Sequence, residues 1–521
     1  MEKKFPIGIQ SFETIRTNGY FYVDKTDLIY KLVDEGKYYF LGRPRRFGKS
    51  LLVSTLEAYF RGRKDLFAGL AMERLEREWT EYPVLHLDLN TRKYEDDTSL
   101  IAILNQHLEK WEAVYGDEKK NREPEERFTY LIQKAFETTG RPVVLLIDEY
   151  DKPLLQAITN ETLAADYRAT LKAFYGVVKS CDPYIRFALL TGVSKFSKVS
   201  VFSDLNNLMD ISMDNRFATL CGITGEEIHR DLDPELHQLA AATGLTYEET
   251  CDKLRTMYDG YHFSRLSPGL YNPFSLLCTL AKRDFGSYWF ETGTPTFLVE
   301  LLQRERYDLY RMAHVQTTVD VLNNAVPNNL SSIAMLYQTG YLTLKGYDSR
   351  FGLYQLGFPN QEVEEGFFNF LLPSYARVNE AEGRFQISRF VHEVEEGDVD
   401  AFFRRLQSFF ADTPYELARD LELHYQNVLF IVFKLMGFYV SAEYHTSEGR
   451  VDLVLQTDCY VYVMEFKLDG TADEALQQIE DKHYALPFAA DTRQVRLVGV
   501  NFSQRTRNIE RWVVKNLSAS N

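Results

Sequence analysis

The sequence predicts an α/β multidomain protein: a parallel-sheet domain, a helical lid, a winged-helix-like middle and a second α/β domain at the carboxy-terminal end. Three observations predict it. Short apolar runs alternate with helical patterns through residues 1–212, a Gly-Lys-Ser triplet follows the first of those runs, and two alternating runs near the end are joined by a short polar turn. The implied divisions are 1–212, 213–325, 326–414 and 415–521. A chain of 521 residues is too long for one core.

Lys37 to Leu41 reads as a first strand, followed by a loop and the amphipathic stretch Leu51 to Phe60. Val84 to Asp88 is a second strand, and Val143 to Ile147 a third, apolar enough to be buried on both faces. Ile185 to Leu190 is a fourth, and strands alternating with helices imply a parallel sheet covered by helices. From 213 to 325 the pattern is mostly helical, punctuated at Gly222, Asp259-Gly260, Pro268-Gly269 and Pro273. A helix from Ser331 to Gln338 then ends at Gly340. Strands Tyr341 to Gly346 and Gly352 to Leu356 follow, with Asp348 and Ser349 as turn residues, and another helix starts after Pro359-Asn360. Helix, hairpin and helix suggest a winged-helix unit. The charged run Glu393 to Asp400 reads as a solvated loop or helix end.

Composition narrows the function classes. The apolar share of 45% and charged share of 26% are ordinary for a folded soluble protein. The first residues lack the apolar run of a signal peptide, and no stretch approaches the ~18 apolar residues that a membrane span requires. The five cysteines are scattered without a CxxC pair, which argues against a zinc site or disulfide framework and fits a reducing cytoplasm. A net charge of −16 is not that of a protein that coats nucleic acid, so any such contact must be local.

The loop after the first strand runs Gly42-Arg43-Pro44-Arg45-Arg46-Phe47-Gly48-Lys49-Ser50, then Leu51 opens a helix. Backbone N–H groups and the positive end of the helix dipole suit phosphate there. Lys49 is placed to reach the β- and γ-phosphates of ATP, and Ser50 to ligate Mg²⁺. The usual spacing puts the first glycine where Arg43 sits, so Gly42 is one residue early and Arg45 and Arg46 crowd the loop. Leu145 to Glu149 supplies the complement, an apolar strand ending in two acids. Asp148 can hold the Mg²⁺ through water, and Glu149 can orient and deprotonate the attacking water. Both motifs should meet at the carboxyl edge of the sheet, where Thr191 is placed to sense the γ-phosphate. The bland alternative is a solvated strand end and a chance GKS.

With Tyr22 to Thr26, Arg43 to Ser50, Asp148 to Asp151 and Thr191 to Phe196, the segment from Phe5 to about Asp210 resembles the AAA-ATPase-like family of bacterial proteins. The resemblance implies an additional-strand, AAA-like P-loop fold with ATP and Mg²⁺, or Mn²⁺ in its place. Roles for Asp24, Lys25, Asp151 and Ser194 rest on that likeness, and each could equally be a cap or ion pair. Arg45 and Arg46 could clamp phosphate or face nucleic acid.

Near the end, Gly449 to Leu455 and Tyr460 to Lys467 alternate about a turn near Asp458, which predicts a β-hairpin. Antiparallel pairing sets Asp452 beside Met464 and Glu465, and alternation puts Glu465 and Lys467 on one face. Asp452, Glu465 and the Phe466 carbonyl offer hard oxygen ligands for Mg²⁺, while Lys467 can position water or offset charge on phosphate. The alternative is an isolated Asp and an exposed Glu–Lys pair. With a helix from Glu422 to Met436 before it and Asp473 to Tyr484 after it, the block resembles the PD-(D/E)XK nuclease superfamily, of restriction-endonuclease-like fold. Arg450-Val451 stand where that family has proline, and Glu422 or Gln426 could supply its first-helix acid. Gln478 and Lys482, at i and i+4, share a helix face and either touch a phosphate backbone or form a surface pair.

The expected function is an ATP-binding, ATP-hydrolysing cytoplasmic protein coupled to a Mg²⁺-dependent nuclease acting on DNA or RNA, in defence or mobile-element biology. Its partners would be nucleotide and nucleic acid, with no membrane and with a homo-oligomer left open. The alternative is an ATP-driven signalling switch whose nuclease-like domain binds without cutting.

Overall fold

A computed structural model describes residues 3–91, 93–195, 207–290, 296–323, 331–376, 378–411, 421–437, 439–447, 450–488 and 491–517. The chain divides into two compact units, one of residues 1–293 with 315–362, the other of 294–314 with 363–521. Among the described residues no helix is long and apolar enough to cross a membrane.

The first unit is built on a five-stranded sheet of β1 (Tyr38–Gly42), β2 (Val84–Asp88), β3 (Val143–Asp148), β4 (Ile185–Gly192) and β5 (Met209–Asp210). The order is β2-β3-β4-β1-β5, and every pair is parallel. The sheet therefore has the expected additional strand: β4 separates the loop-bearing β1 from the acid-bearing β3. All six residues of β3 are buried, as its unbroken apolar run requires. Helices Lys49–Phe60, Asp97–Tyr115, Pro124–Thr139 and Glu161–Ser180 alternate with the strands. Asp96 and Asn160 start two of these helices by accepting from the backbone of Thr98 and Leu163, each at 3.1 Å.

The stretch after residue 213 is largely helical, as the punctuation suggests. Helices Gly225–Asp231, Asp233–Thr243, Tyr247–Tyr258 and Pro273–Lys282 share a core that includes Leu236, Leu254 and Leu276. Thr224 and Thr246 open two of them as capping boxes with Glu227 and Glu249. A two-stranded ladder, β6 (Ile223–Thr224) with β7 (Leu270–Tyr271), ties the ends of this cluster. Next come β8 (Val315–Thr317), helices Val319–Asn323 and Ser332–Thr339, then β9 (Thr343–Asp348) and β10 (Leu353–Gly357). The three strands form an antiparallel sheet in the order β8-β10-β9. The hairpin is the expected one, although Asp348 still belongs to β9, and β8 is a third strand that three residues cannot announce in sequence.

The second unit carries a five-stranded mixed sheet: β11 (Ser441–Ser447), β12 (Arg450–Gln456), β13 (Tyr460–Leu468), β14 (Gln494–Ser503) and β15 (Asn508–Asn516), in that order. Only β13 and β14 run parallel, and helix Ala472–Asp481 makes the crossover between them. Val461, Val463, Val495 and Leu497 pack with Ile479 of that helix. On the other face Phe466 lies 6.3 Å from Phe403 and 6.4 Å from Phe433, ring to ring, on helices Val399–Ala411 and Leu421–Met436. The charged run Glu393 to Asp400 is indeed a helix end, but not wholly a solvated one. Helix Glu380–Glu396 stops at Gly397, and Glu393 is buried, its charge compensated by Arg405, whose Nε donates to Oε1 at 2.8 Å.

Candidate functional site

Two groups of polar side chains sit at strand ends, one in each unit. The first forms where β1, β3 and β4 finish together. Leu41 pairs with Thr191 and Ile147 with Leu190, so the register brings the loop, the two acids and Thr191 to one sheet edge. Gly48, at φ +93°, is the N-cap of helix Lys49–Phe60, a conformation glycine adopts without steric cost. Lys49 is buried; its Nζ donates to the carbonyls of Arg43 at 3.1 Å and Pro44 at 3.3 Å and lies 3.5 Å from Glu149 Oε1. Thr191 Oγ1 donates to Asp148 Oδ1 at 2.5 Å, and Asp148 is itself buried. Glu149 turns out of the strand at φ +54°, which aims its side chain at Lys49 rather than along the sheet. Ser50 and Leu51 are half-buried on the first helical turn. This donor set of hydroxyl and carboxylate oxygens beside an ammonium suits Mg²⁺ and nucleotide phosphates.

The crowded loop has a physical account. Arg43 does not project toward the helix N-terminus. It is buried, its Nη1 donating to the carbonyls of Gly42 at 2.9 Å and Ser212 at 2.7 Å, with Phe263 4.1 Å beneath the guanidinium. Burial lowers its affinity for the proton. Phe47 is buried between Tyr261 and Phe263, at 4.7 and 5.1 Å. Arg46 is exposed and lies 4.7 Å over Phe274, whereas Arg45 is half-buried and its carbonyl accepts from Trp289 Nε1 at 3.3 Å. Arginine and phenylalanine thus brace the loop from residues as distant in sequence as Trp289.

The residues carried by likeness divide. Asp24, one residue before the N-cap of the helix opened by Thr26, accepts from Thr26 N at 2.9 Å and from Ala71 N at 2.8 Å, and Lys25 pairs with Glu227 at 2.5 Å. Those are structural ties. Asp151 is fully buried under the sheet edge and accepts from Ser194 N and Oγ, each at 2.6 Å. Burial, and then the charge of Glu149, push its carboxyl up to about 6. Sequence reasoning assigns nothing to Tyr150 and Lys195, although both stand in the motifs. Tyr150 OH donates to Ser194 O at 2.8 Å, and Lys195 Nζ reaches Asp210 at 3.1 Å and Asn323 at 2.8 Å.

The second group lies on β12 and β13. The register pairs Asp452 with Glu465 and Arg450 with Lys467, so positions 452 and 465 share a sheet face. The side chains of Asp452 and Glu422 lie outside the described residues. Glu465 is fully buried, and Lys467 Nζ is 3.9 Å from its Oε1. Lys467 also donates to Gln478 Oε1, so helix Ala472–Asp481 delivers Gln478 to the same spot. Lys482 is exposed as the C-cap of that helix and is not brought into this group. Phe466 points its ring into the opposite core, leaving only its backbone on offer. Gln426 is half-buried on helix Leu421–Met436. Asn501, paired in register with Lys467, is a neighbour that no sequence motif announces. Among the described side chains of this group Glu465 supplies the hard carboxylate oxygens that a divalent cation takes, with Lys467 placed beside them.

The family model for a predicted AAA-ATPase matches residues 6–202, and that for the PD-(D/E)XK nuclease superfamily matches residues 420–512. A protein of Azotobacter chroococcum mcd 1, described as an uncharacterized protein in the vnfD 5' region, is 38% identical over 527 residues, covering 99% of this chain and 99% of that relative. The two matched segments coincide with the two polar centres, and the chain belongs to the AAA-ATPase-like proteins that carry a PD-(D/E)XK nuclease superfamily domain at the carboxy terminus.

Proposed function

We propose that this protein binds and hydrolyses ATP in the cytoplasm and couples that cycle to a Mg²⁺-dependent nuclease acting on DNA or RNA, in defence or mobile-element biology. At the first centre Arg45 to Leu51 cradle the phosphates, Ser50 and Asp148 hold Mg²⁺, Thr191 reads the γ-phosphate through Asp148, and Glu149 orients water. At the second, Asp452, Glu465 and the Phe466 carbonyl hold the metal and Lys467 stabilises charge on the scissile phosphate. Bound Mg²⁺ or Mn²⁺ there supplies an acidified water and a polarised phosphate. Gln478 steers Lys467, Lys482 tracks the phosphate backbone at a distance, and residues 315–357 act as a winged-helix-like adaptor.

The observation that carries this reading is the buried Glu465 with Lys467 at 3.9 Å, directly across the ladder from Asp452. A fully buried carboxylate is costly unless a cation compensates it. The test is cleavage of single- and double-stranded DNA and of RNA with Mg²⁺ or Mn²⁺, with and without ATP. Wild type should cut, and Lys467→Ala should lose roughly 100-fold or more, as removal of a charged transition-state interaction does. Identical rates for the two proteins would end the nuclease reading and leave an ATP-driven switch with a non-cutting module.

A further inference from the structure

The β9–β10 hairpin ends in a turn that presents Arg350 and Phe351, with Tyr347 exposed on β9 just before it. Phe351 is 67% exposed at the tip, and Leu266, on the loop between Tyr261 and Leu270, is 80% exposed. Single exposed apolar residues are common and need no explanation. Here they come with arginines laid on aromatic rings: Arg265 lies 4.6 Å over Tyr347, and Arg350 5.2 Å from Phe351. Asp348, the acid on this tip, is engaged in the turn, where its Oδ1 accepts from Arg350 N at 2.8 Å. On a chain of net charge −16, one exposed guanidinium beside the projecting phenyl ring of Phe351 and a second over Tyr347 at the base of the same tip form a local cationic, apolar point.

We infer that this hairpin tip is a duplex-DNA contact that inserts Phe351 at the minor groove while Arg265 and Arg350 engage the flanking phosphates. Apolar wedges flanked by basic groups enter minor grooves by partly unstacking a base step, and a β-ribbon tip is narrow enough to do so. Arginine already lying on a ring is restricted in its conformations, so less freedom is lost when it meets phosphate. The inference rests on the reading that the chain acts on nucleic acid, but the tip belongs to the ATPase-bearing unit and not to the metal centre. Tyr347 packs against Tyr354 across the ladder, ring centroids 4.8 Å apart and tilted by 51°, which stiffens the ribbon behind the tip.

Binding of the full-length protein to fluorescein-labelled duplex DNA in EDTA, followed by anisotropy over a salt series, reads this interaction without cleavage. Phe351→Ala should weaken binding roughly ten-fold. The double variant Arg265→Ala/Arg350→Ala should weaken it and reduce the slope of log affinity against log salt by about 2, one for each phosphate left unneutralised. Unfolding midpoints equal to wild type would show that these exposed changes leave the fold intact. Unchanged affinity and slope, absence of duplex binding by wild type, or an equal Phe351 effect on duplex RNA, whose minor groove is wide and shallow, would each overturn the inference. Absence of cleavage by wild type, with binding that depends on Phe351 retained, would instead sink the nuclease reading and spare this one.

Discussion

Asp151 shows how one buried group can report on the polar centre where β1, β3 and β4 end. Its carboxyl is pushed up to about 6, by burial first and by the charge of Glu149 second, whereas an aspartate in the unfolded chain titrates near ~3.9. Between those values the folded protein holds a proton that the unfolded chain has released. Stability should therefore fall as pH rises from about 4 to about 6, and level off above that. Asp151→Asn keeps an acceptor oxygen for Ser194 but removes the titration. Relative to that variant, wild type should lose on the order of 1–3 kcal/mol across the window, measured as urea midpoints at a series of pH values. Parallel curves would show that Asp151 titrates normally. The Asp itself was legible in the sequence only as part of a motif. Its burial was not, since the groups that enclose it, Ser194 above all, lie more than forty residues along the chain.

At the scale of elements, the close approach of helix Ala472–Asp481 to β14 sets the second centre. A Cβ at Gly499 would stand 2.1 Å from Ala472 O and 2.5 Å from Leu476 N, both backbone atoms. The helix can seat Gln478 beside Lys467 only because position 499 has no side chain. Gly499→Ala should force the helix outward, cost roughly 1–3 kcal/mol as overpacking does, and lower cleavage while nucleotide binding at Lys49 is unchanged. Wild-type cleavage from that variant would show the seating to be immaterial. The hairpin of β12 and β13 is readable because period-2 alternation marks the faces, but counting outward from a turn near Asp458 leaves Asp452 beside either Met464 or Glu465, and the observed register selects Glu465. Gly499 was not readable, because a glycine inside a strand states that something comes close without saying what. The two-residue β5 and three-residue β8 are too short to carry a pattern, and exist because a neighbour's edge is there to pair with. Arg43 stands out as a misfit in the loop spacing, yet the carbonyl of Ser212 that holds it comes from far along the chain.

At the scale of the whole chain, each unit has its own sheet and core, so each should unfold as its own cooperative step. ATP with Mg²⁺ at one hundred times its dissociation constant should stabilise the first unit by about 2.7 kcal/mol through mass action and leave the second unmoved. Differential scanning calorimetry would resolve two transitions, of which one climbs with nucleotide. A single transition, or two that climb together, would contradict this independence.

The sequence order of the two units is interleaved. Residues 294–314 belong with 363–521, although 315–362 return to the first unit. Asn427 makes the bond concrete, its Oδ1 accepting from Leu309 N and its Nδ2 donating to Tyr307 O, each at 2.9 Å. A gene cut at the codon for residue 362 would not yield a tidy ATPase. It would strand a segment whose Leu298, Leu302, Leu309 and Met312 are deprived of their burial, a sticky flag for chaperones and proteases. Inheritance of the carboxy-terminal unit as a swappable cassette is thereby obstructed, because recombination would have to join two separate breakpoints at once.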